Sequence, residues 1–310
     1  MECVTDIRKL NTARIGLLID CCIQAYNAFS GSNGSQCKPA RVTAPEGFDL
    51  LDCWSGLDAV FGRDKTVETY GLVFRSTNAP WRYVFAFRGT DSALDMLDDC
   101  GVEPQPFVPF ESNVGVPADV RVESGFNDIY TSGDGTIDPM QRQLFALIDK
   151  YQASTKPVSE IYVTGHSLGA ALSQLFTLDL AISRPAIPTV NINFASPRVG
   201  NGAFVSFFAE NSPYPILRVQ NTHDAVPHLP PGELGFKHTP SVYLIAFYST
   251  DTLGKIDLKA SHSSINYKAV IACAGENGAG VCTNKHLSVD GKKSICSERP
   301  DIQNGQGKFD

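Results

Sequence analysis

Residues Ile161–Ala170 read IYVTGHSLGA, and this stretch determines the class of fold. A short β-branched and aromatic run leads into the pentapeptide GHSLG at Gly165–Gly169, and a helix-forming run follows. Glycines two residues to either side of Ser167 let a strand and a helix approach closely without a Cβ clash. The pattern predicts a tight strand-to-helix turn with the Ser167 hydroxyl pointing out of the sheet. An ordinary turn with a serine helix cap is the structural alternative.

Strands and helices alternate on both sides of this turn. The predicted strands are Thr69–Arg75, Arg82–Arg88, Glu160–Thr164, Thr189–Phe194 and Ile216–Gln220. The predicted helices cover residues 12–29, Met140–Tyr151, Leu168–Ile182 and Ala203–Glu210. Such alternation implies βαβ crossovers, hence an α/β fold with a central, mostly parallel sheet flanked by helices on both faces.

The rest of the chain is predicted to be loop and tail. Ser30–Glu46 is rich in Gly, Ser, Asn and Pro and is typical of a loop. Asp91–Ala118 has no regular pattern, and so long an irregular segment is uncommon unless it is functional, for instance as a lid. We therefore expect a single domain over residues 1–296, with a possible lid at 91–118 and a polar C-terminal tail at 297–310.

Composition excludes several classes of protein. The 310 residues carry 26 Lys and Arg against 33 Asp and Glu, a formal net charge of −7 with a pI near 5.4. A nucleic-acid partner is not expected, because binding to phosphates requires a surplus of positive charge. The apolar runs, such as Val242–Tyr248, are far shorter than the roughly 20 residues of a membrane-spanning helix.

The nine cysteines are an odd number, so at least one stays unpaired in any monomeric disulfide scheme. The N-terminus, with Glu2, Asp6, Arg8 and Lys9, does not resemble a signal peptide. We expect buried free thiols in a reducing, cytoplasmic compartment. A secreted location is the alternative if the sequence is a mature form with an added Met.

A serine hydroxyl is a poor nucleophile until a base accepts its proton, so a histidine and an orienting carboxylate are required. Asp224 follows the predicted strand Ile216–Gln220, at the sheet edge where catalytic groups gather in α/β folds. Asp251 and Asp257 lie in a polar stretch that is typical of a solvated turn. His166 adjoins the serine but points elsewhere on a sharp turn, which makes it a poor base.

Five blocks of sequence together resemble the class 3 lipase family, the fungal-type triacylglycerol lipases of the α/β-hydrolase fold. They are FAFRGT at Phe85–Thr90, VESGF at Val122–Phe126, GHSLGA at Gly165–Ala170, FASPRVGN at Phe194–Asn201 and NTHDAVPHLPP at Asn221–Pro231. The blocks occur in the family's order and spacing over roughly two thirds of the chain, which makes them more specific than the serine motif alone.

The resemblance implies the roles of individual residues. Ser167 matches the family nucleophile and Asp224 its acid. His262 matches the base, although the aromatic residue after it, Tyr267, comes two positions later than in the family pattern; His286 is the rival base.

The same block-by-block match extends to the oxyanion hole. Thr90 ends the block whose last residue supplies one oxyanion donor in the family, so the resemblance implies that role for Thr90. The alternative is that Thr90 only caps a turn at the end of a strand. The backbone N–H of Leu168, immediately after the nucleophile, is the candidate for the other donor. His238 matches a mostly structural histidine.

The family also implies a lid after Thr90 that opens the site at a lipid surface. Here Asp91–Asp99 reads DSALDMLDD, which fits one apolar helical turn or a solvated acidic loop. Its four carboxylates disfavour an anionic lipid surface. Phe107 and Phe110, with Val108 and Pro109 between them, are candidates for an apolar wall or an alternative flap. Secreted members tie their first helix to the C-terminal helix, which implies a disulfide from Cys21 or Cys22 to Cys273 as the alternative to free thiols.

We therefore expect a serine carboxylic-ester hydrolase, foremost an acylglycerol lipase, with no cofactor and no metal. Its partner is an ester or lipid substrate at a lipid–water interface. Feruloyl esterase and phospholipase A1 are alternatives on the same fold, since function resides in the site rather than the scaffold. A non-catalytic lipid-binding protein is a less favoured alternative.

Overall fold

The structure is a computed structural model, and it describes residues 3–4, 11–29, 41–58, 66–90, 103–111, 114–213, 216–250, 254–276, 280–289 and 293–300. The strands of its main sheet are, in chain order, β1 (Cys3–Val4), β2 (Phe48–Asp58), β3 (Thr66–Ser76), β4 (Arg82–Phe87), β7 (Glu160–Gly165), β8 (Thr189–Phe194), β10 (Ile216–Asn221), β12 (Val242–Tyr248), β13 (Leu287–Val289) and β14 (Lys293–Glu298). A smaller sheet contains β5 (Pro104–Pro106), β6 (Arg121–Glu123), β9 (Gly200–Asn201) and β11 (Phe236–Lys237).

The central part of the main sheet is parallel. Strands follow one another in space as β13-β14-β12-β10-β8-β7-β4-β3-β2, with β1 paired to β12. The pairs β4–β7, β7–β8, β8–β10 and β10–β12 are parallel, whereas the pairs at both edges are antiparallel. Because the parallel strands run in one direction, the residues that follow β4, β7 and β10 meet at one edge of the sheet.

Helices cover both faces of this sheet. They are α1 (Thr12–Phe29), α2 (Ser124–Thr131), α3 (Met140–Gln152), α4 (Leu168–Ser183), α5 (Gly202–Asn211), α6 (Leu258–His262) and α7 (Ser264–Glu276). One apolar cluster joins α1 and α7 to one face, and a second joins α2, α3, α4 and α5 to the other. The predicted α/β-hydrolase architecture is confirmed. None of the described helices has the length and apolarity needed to cross a membrane.

Strand β2 is absent from the sequence predictions although it has eleven residues. Its pairing with β3 shifts register between Leu50 and Asp52 and again between Trp54 and Ser55. Each irregularity interrupts the alternation of apolar and polar residues from which strands are recognised. Strand β14 continues through Ser297 and Glu298, so the sheet extends two residues into the segment expected to be a tail.

The predicted lid segment is described only in part. Asp91–Asp99 lies outside the described residues. Phe107 is buried and packs edge-on against Phe204, with ring centroids 6.1 Å apart. Phe110 stacks on Phe145 at 4.5 Å, whereas Val108 is 62% exposed.

The cysteine pairing differs from both expectations. Cys273 in α7 forms a disulfide with Cys282, nine residues further along the chain. Cys21 and Cys22 are buried thiols in α1, and the Cys22 Sγ lies 3.3 Å from the Thr164 hydroxyl on β7. The pairing of Cys21 or Cys22 with Cys273 is therefore wrong, and so is the expectation of free thiols for Cys273 and Cys282. Cys22 faces the sheet, while Cys273 faces the segment after α7.

Candidate active site

Ser167 occupies the turn between β7 and α4 in a strained conformation. Its φ of 60° and ψ of −130° lie outside the usual regions for a residue with a side chain. A Cβ at Gly165 would lie 2.1 Å from the Gly169 carbonyl oxygen, and a Cβ at Gly169 would lie 2.5 Å from that of Arg88. Both flanking glycines are thus required by close backbone contact, as the sequence predicts for such a turn.

Asp224 and His262 form a buried pair beside this turn. Asp224 follows β10, and its Oδ1 also accepts a hydrogen bond from the Val226 backbone. The His262 Nδ1 lies 3.0 Å from Asp224 Oδ1 and 2.8 Å from Oδ2. With Nδ1–H donating to the carboxylate, Nε2 is the unprotonated nitrogen. This Nε2 is buried and has no hydrogen-bond partner within the described residues, so it is available to accept a proton.

Tyr267 supports the same carboxylate from α7. Its hydroxyl donates to Asp224 Oδ2 at 2.9 Å and accepts from the Asn221 backbone N–H at 2.8 Å. Burial of the phenol and the neighbouring Asp224 charge raise the pKa of Tyr267, so it remains a proton donor. Helices α6 and α7 are separated at Ser263, and the Tyr267 side chain reaches the acid although it comes two positions later than the resemblance implies.

His166 links the nucleophile turn to the backbone of His262. Its Nε2 lies 2.8 Å from the His262 carbonyl oxygen, and its Nδ1 lies 2.9 Å from the Tyr26 hydroxyl. Burial, with a smaller effect from His262, lowers the pKa of His166 well below its usual value. A carbonyl can only accept, so Nε2 carries the proton and Nδ1 accepts from Tyr26. Both ring nitrogens of His166 are thus engaged by these contacts.

The block FAFRGT ends against the nucleophile. A Cβ at Gly89 would lie 2.9 Å from the Ser167 Cβ and 2.7 Å from the His166 carbonyl oxygen. The next residue, Thr90, is half-buried at this edge, and Leu168 begins α4 on the other side of Ser167. Thr90 directly follows Gly89, which contacts Ser167, and Leu168 directly follows Ser167 itself. Each predicted oxyanion donor is therefore a chain neighbour of a residue at the nucleophile.

The structure does not bring the other candidates to this site. His286 is exposed in the turn before β13, where its backbone N–H bonds to Asn284. Asp257 caps α6 by accepting from the Ala260 N–H, and Asp251 lies outside the described residues. His238 is buried and donates from Nε2 to the Pro227 carbonyl at 2.8 Å.

The described ranges contain no group of three or more His, Cys, Asp or Glu side chains arranged to hold a metal ion.

Fold and site together define an α/β-hydrolase with a serine elbow next to a buried acid–histidine pair. The family model described as Lipase (class 3) matches residues 84–234. Over this matched region the chain is similar to the class 3 lipase family.

The relatives include lipases and phospholipases. A lipase of Rhizomucor miehei is 29% identical over 214 residues, covering 68% of this chain and 52% of the relative. Phospholipase A1-II 7 of Oryza sativa subsp. indica is 33% identical over 216 residues, covering 61% of this chain and 52% of the relative. The chain thus spans about half the length of these curated relatives.

Solved structures agree with the fold. A deletion mutant of the Rhizomucor miehei lipase propeptide complex has a TM-score of 0.55 at 26% identity, covering 76% of this chain and 68% of that one. Lipase II from Rhizopus niveus has a TM-score of 0.56 at 22% identity, covering 83% of this chain and 91% of that one.

Sequence reasoning missed three polar residues of the site: Tyr26, Asn221 and Arg88. Asn221 and Arg88 lie inside matched blocks, but the residues assigned a role in those blocks were Asp224 and Thr90. Tyr26 lies on α1, remote in sequence from every block, and no pattern indicates that its hydroxyl reaches the nucleophile turn. Tyr267 carried a signal, because the family places an aromatic residue shortly after the histidine.

Proposed function

We propose that this chain is a serine carboxylic-ester hydrolase that acts on acylglycerols, with Ser167 as nucleophile, His262 as base and Asp224 as acid. The observation that carries the proposal is the buried contact of His262 Nδ1 with both Asp224 oxygens, next to the strained Ser167. Lipase relatives at 29% identity support an acylglycerol substrate.

In this mechanism His262 Nε2 takes the proton as Ser167 Oγ attacks the ester carbonyl. Asp224 holds the imidazole in the correct tautomer and stabilises its protonated form. Backbone N–H groups of Thr90 and Leu168 donate to the tetrahedral oxyanion. His262 then protonates the leaving alcohol. Water activated by the same nitrogen hydrolyses the acyl-enzyme and releases the fatty acid.

A fluorophosphonate probe tests the nucleophile. We expect covalent labelling of the wild type at Ser167, none in Ser167→Ala and full labelling in Ser288→Ala, an exposed serine on β13. Parallel His262→Ala and His286→Ala variants test the base through hydrolysis of p-nitrophenyl butyrate. Loss of turnover in His286→Ala alone would contradict our assignment. Folded wild type that resists labelling would instead favour a non-catalytic lipid-binding protein.

Phospholipase A1 is the second candidate, because several plant relatives with that name are 33–35% identical to this chain. The substrates separate the alternatives. We expect faster release of fatty acid from emulsified triolein than from the sn-1 position of phosphatidylcholine vesicles or from methyl ferulate. A preference for the phospholipid would establish the second candidate, and a preference for ferulate would establish a feruloyl esterase.

A further inference from the structure

We infer that Arg88 is a positioning residue for ester hydrolysis: its guanidinium holds the Gly89 carbonyl and thereby aims the Thr90 N–H at the developing oxyanion. This inference rests on the proposed function. It adds a role for a charged side chain that does not itself meet the substrate.

The direction of the Thr90 N–H follows from the geometry of one peptide unit. Arg88 Nη1 donates to the Gly89 carbonyl oxygen at 2.7 Å. Within the described residues only Ala79–Pro80 is a cis peptide, so the Gly89–Thr90 unit is trans. In a trans peptide the C=O and the following N–H point in opposite directions. A guanidinium that fixes the carbonyl therefore fixes the N–H of Thr90 as well.

The guanidinium is itself held on its edges and on its faces. Nε donates to the Thr69 carbonyl at 2.6 Å, and Nη2 pairs with the Glu68 carboxylate. Its carbon lies 3.6 Å from the Phe29 ring centroid and 4.7 Å from that of Tyr70. The Arg88 residue is 1% exposed. A planar fork fixed in this way is a rigid reference point for the peptide it contacts.

This peptide lies against the nucleophile. A Cβ added at Gly89 would come within 2.9 Å of the Ser167 Cβ, and the carbonyl carbon of residue 89 is two bonds from that Cβ. The buried positive charge at the carbonyl end also polarises the peptide, which strengthens the N–H at its other end as a donor. Orientation and polarisation both favour the transition state, where the oxygen charge develops, over the bound substrate.

Arg88→Met tests the inference with three readouts on p-nitrophenyl butyrate hydrolysis. We expect kcat to fall about 10- to 100-fold, with KM within about twofold, since a misdirected donor costs less than the 10²- to 10³-fold of a deleted one. The inhibition constant of a trifluoromethyl ketone, whose hemiketal carries an oxyanion, is expected to rise by the same factor.

Glu68→Gln is the matched control. It removes the ion pair of the guanidinium but leaves the contact with the Gly89 carbonyl, so Tm falls while kcat stays within about threefold of the wild type. A purely structural role for Arg88 would instead lower Tm in both variants and leave kcat and the inhibition constant of folded Arg88→Met unchanged. That result would overturn the inference.

If Arg88→Met does not fold, the inference is tested with Arg88→Lys and with the NMR shift of the Thr90 amide proton. Lysine keeps the positive charge but lacks the planar guanidinium and its several N–H donors. We therefore expect kcat to lie between those of the wild type and Arg88→Met. In ¹⁵N-threonine-labelled wild type the Thr90 amide proton, assigned with Thr90→Val, is expected to move downfield on trifluoromethyl ketone binding. An equal shift and unchanged kcat in Arg88→Lys would overturn the inference. Wild type that neither hydrolyses esters nor reacts with a fluorophosphonate would count against the proposed function instead.

Discussion

At the residue scale, the site depends on hydrogen bonds that each satisfy a buried polar group. Asp224 receives hydrogen bonds from the His262 ring, the Tyr267 hydroxyl and the Val226 backbone. A buried carboxylate with three hydrogen-bond donors is held in one orientation. The orientation of the imidazole is therefore set by several partners of its acid rather than by the acid alone.

Tyr267→Phe removes one of these partners and leaves the Asn221 N–H without its acceptor. We expect kcat to fall several-fold with KM unchanged, and stability to fall by about 1–3 kcal/mol. Tyr130→Phe is the control, because Tyr130 donates to the buried Asp179 and plays no part in the site. Kinetics and urea denaturation of both variants are the measurements. Equal kcat values in the two variants would show that Tyr267 acts on stability only.

At the scale of elements, the strand–turn–helix unit around Ser167 was predictable because its glycines are a local requirement. The helices α1 and α3 were likewise predictable from apolar periodicity, and their observed bounds agree closely with the predictions, as do those of α4. Strand β2 was not predictable, because its two register shifts interrupt the alternation of apolar and polar residues that identifies a strand. Local patterns thus predict regular elements and fail where pairing with a neighbour bends the backbone.

Gly165→Ala tests the close approach of β7 and α4. The new Cβ would meet the Gly169 carbonyl oxygen at 2.1 Å and the Ala170 nitrogen at 2.7 Å, and neither backbone atom can move aside. We expect a loss of roughly 3 kcal/mol or more of stability, or no folded protein. Gly16→Ala is the control within α1, where a Cβ meets nothing within 4 Å, and it should stabilise by about 0.5–1 kcal/mol. Thermal denaturation distinguishes the two.

Glu123, the N-cap of α2, predicts a pH dependence of stability. Its carboxylate accepts from the Gly125 and Phe126 N–H groups, yet burial raises the pKa of Glu123 to about 7 from 4.5. The folded protein therefore binds the proton more tightly than the unfolded chain, so stability falls as pH rises from about 4.5 to about 7.

Glu123→Gln removes this titration. We compare the free energy of unfolding of the variant with that of the wild type. As pH rises from 4.5 to 7.5, we expect this difference to shift in favour of the variant by on the order of 2–3 kcal/mol. Denaturant titrations at several pH values measure it, with the exposed Glu276→Gln on α7 as control. Parallel pH profiles for wild type and Glu123→Gln would contradict the prediction.

At the scale of the whole molecule, the Cys273–Cys282 disulfide ties α7 to the segment that precedes the edge strands β13 and β14. The segment is held further by Ser297 on β14, whose hydroxyl donates to Cys282 Sγ at 3.0 Å. Since α7 also carries Tyr267, the bond stabilises the helix that supports the acid. The disulfide thus connects the C-terminal strands to the site.

Removing this bond with the double variant Cys273→Ala and Cys282→Ala is expected to cost about 2–3 kcal/mol, the loop-closure value for a loop of this size. Cys296→Ala, which removes a half-buried thiol outside the disulfide, is the control. Dithiothreitol should lower the Tm of the wild type and of Cys296→Ala but not that of the double variant. A wild type insensitive to reductant would refute the expectation.

The sequence by itself determined the α/β-hydrolase class, the resemblance to the class 3 lipases, and the candidates Ser167, Asp224 and His262. These depend on local requirements, such as glycines at a tight turn or a carboxylate after a strand, that are written in consecutive residues. Only the tertiary structure decided which histidine meets the acid and which cysteine pairs with Cys273. It also showed that Tyr26 reaches the nucleophile turn and that Arg88 holds the Gly89 carbonyl. Such contacts join elements far apart in the chain, and their geometry depends on how the helices pack on the sheet.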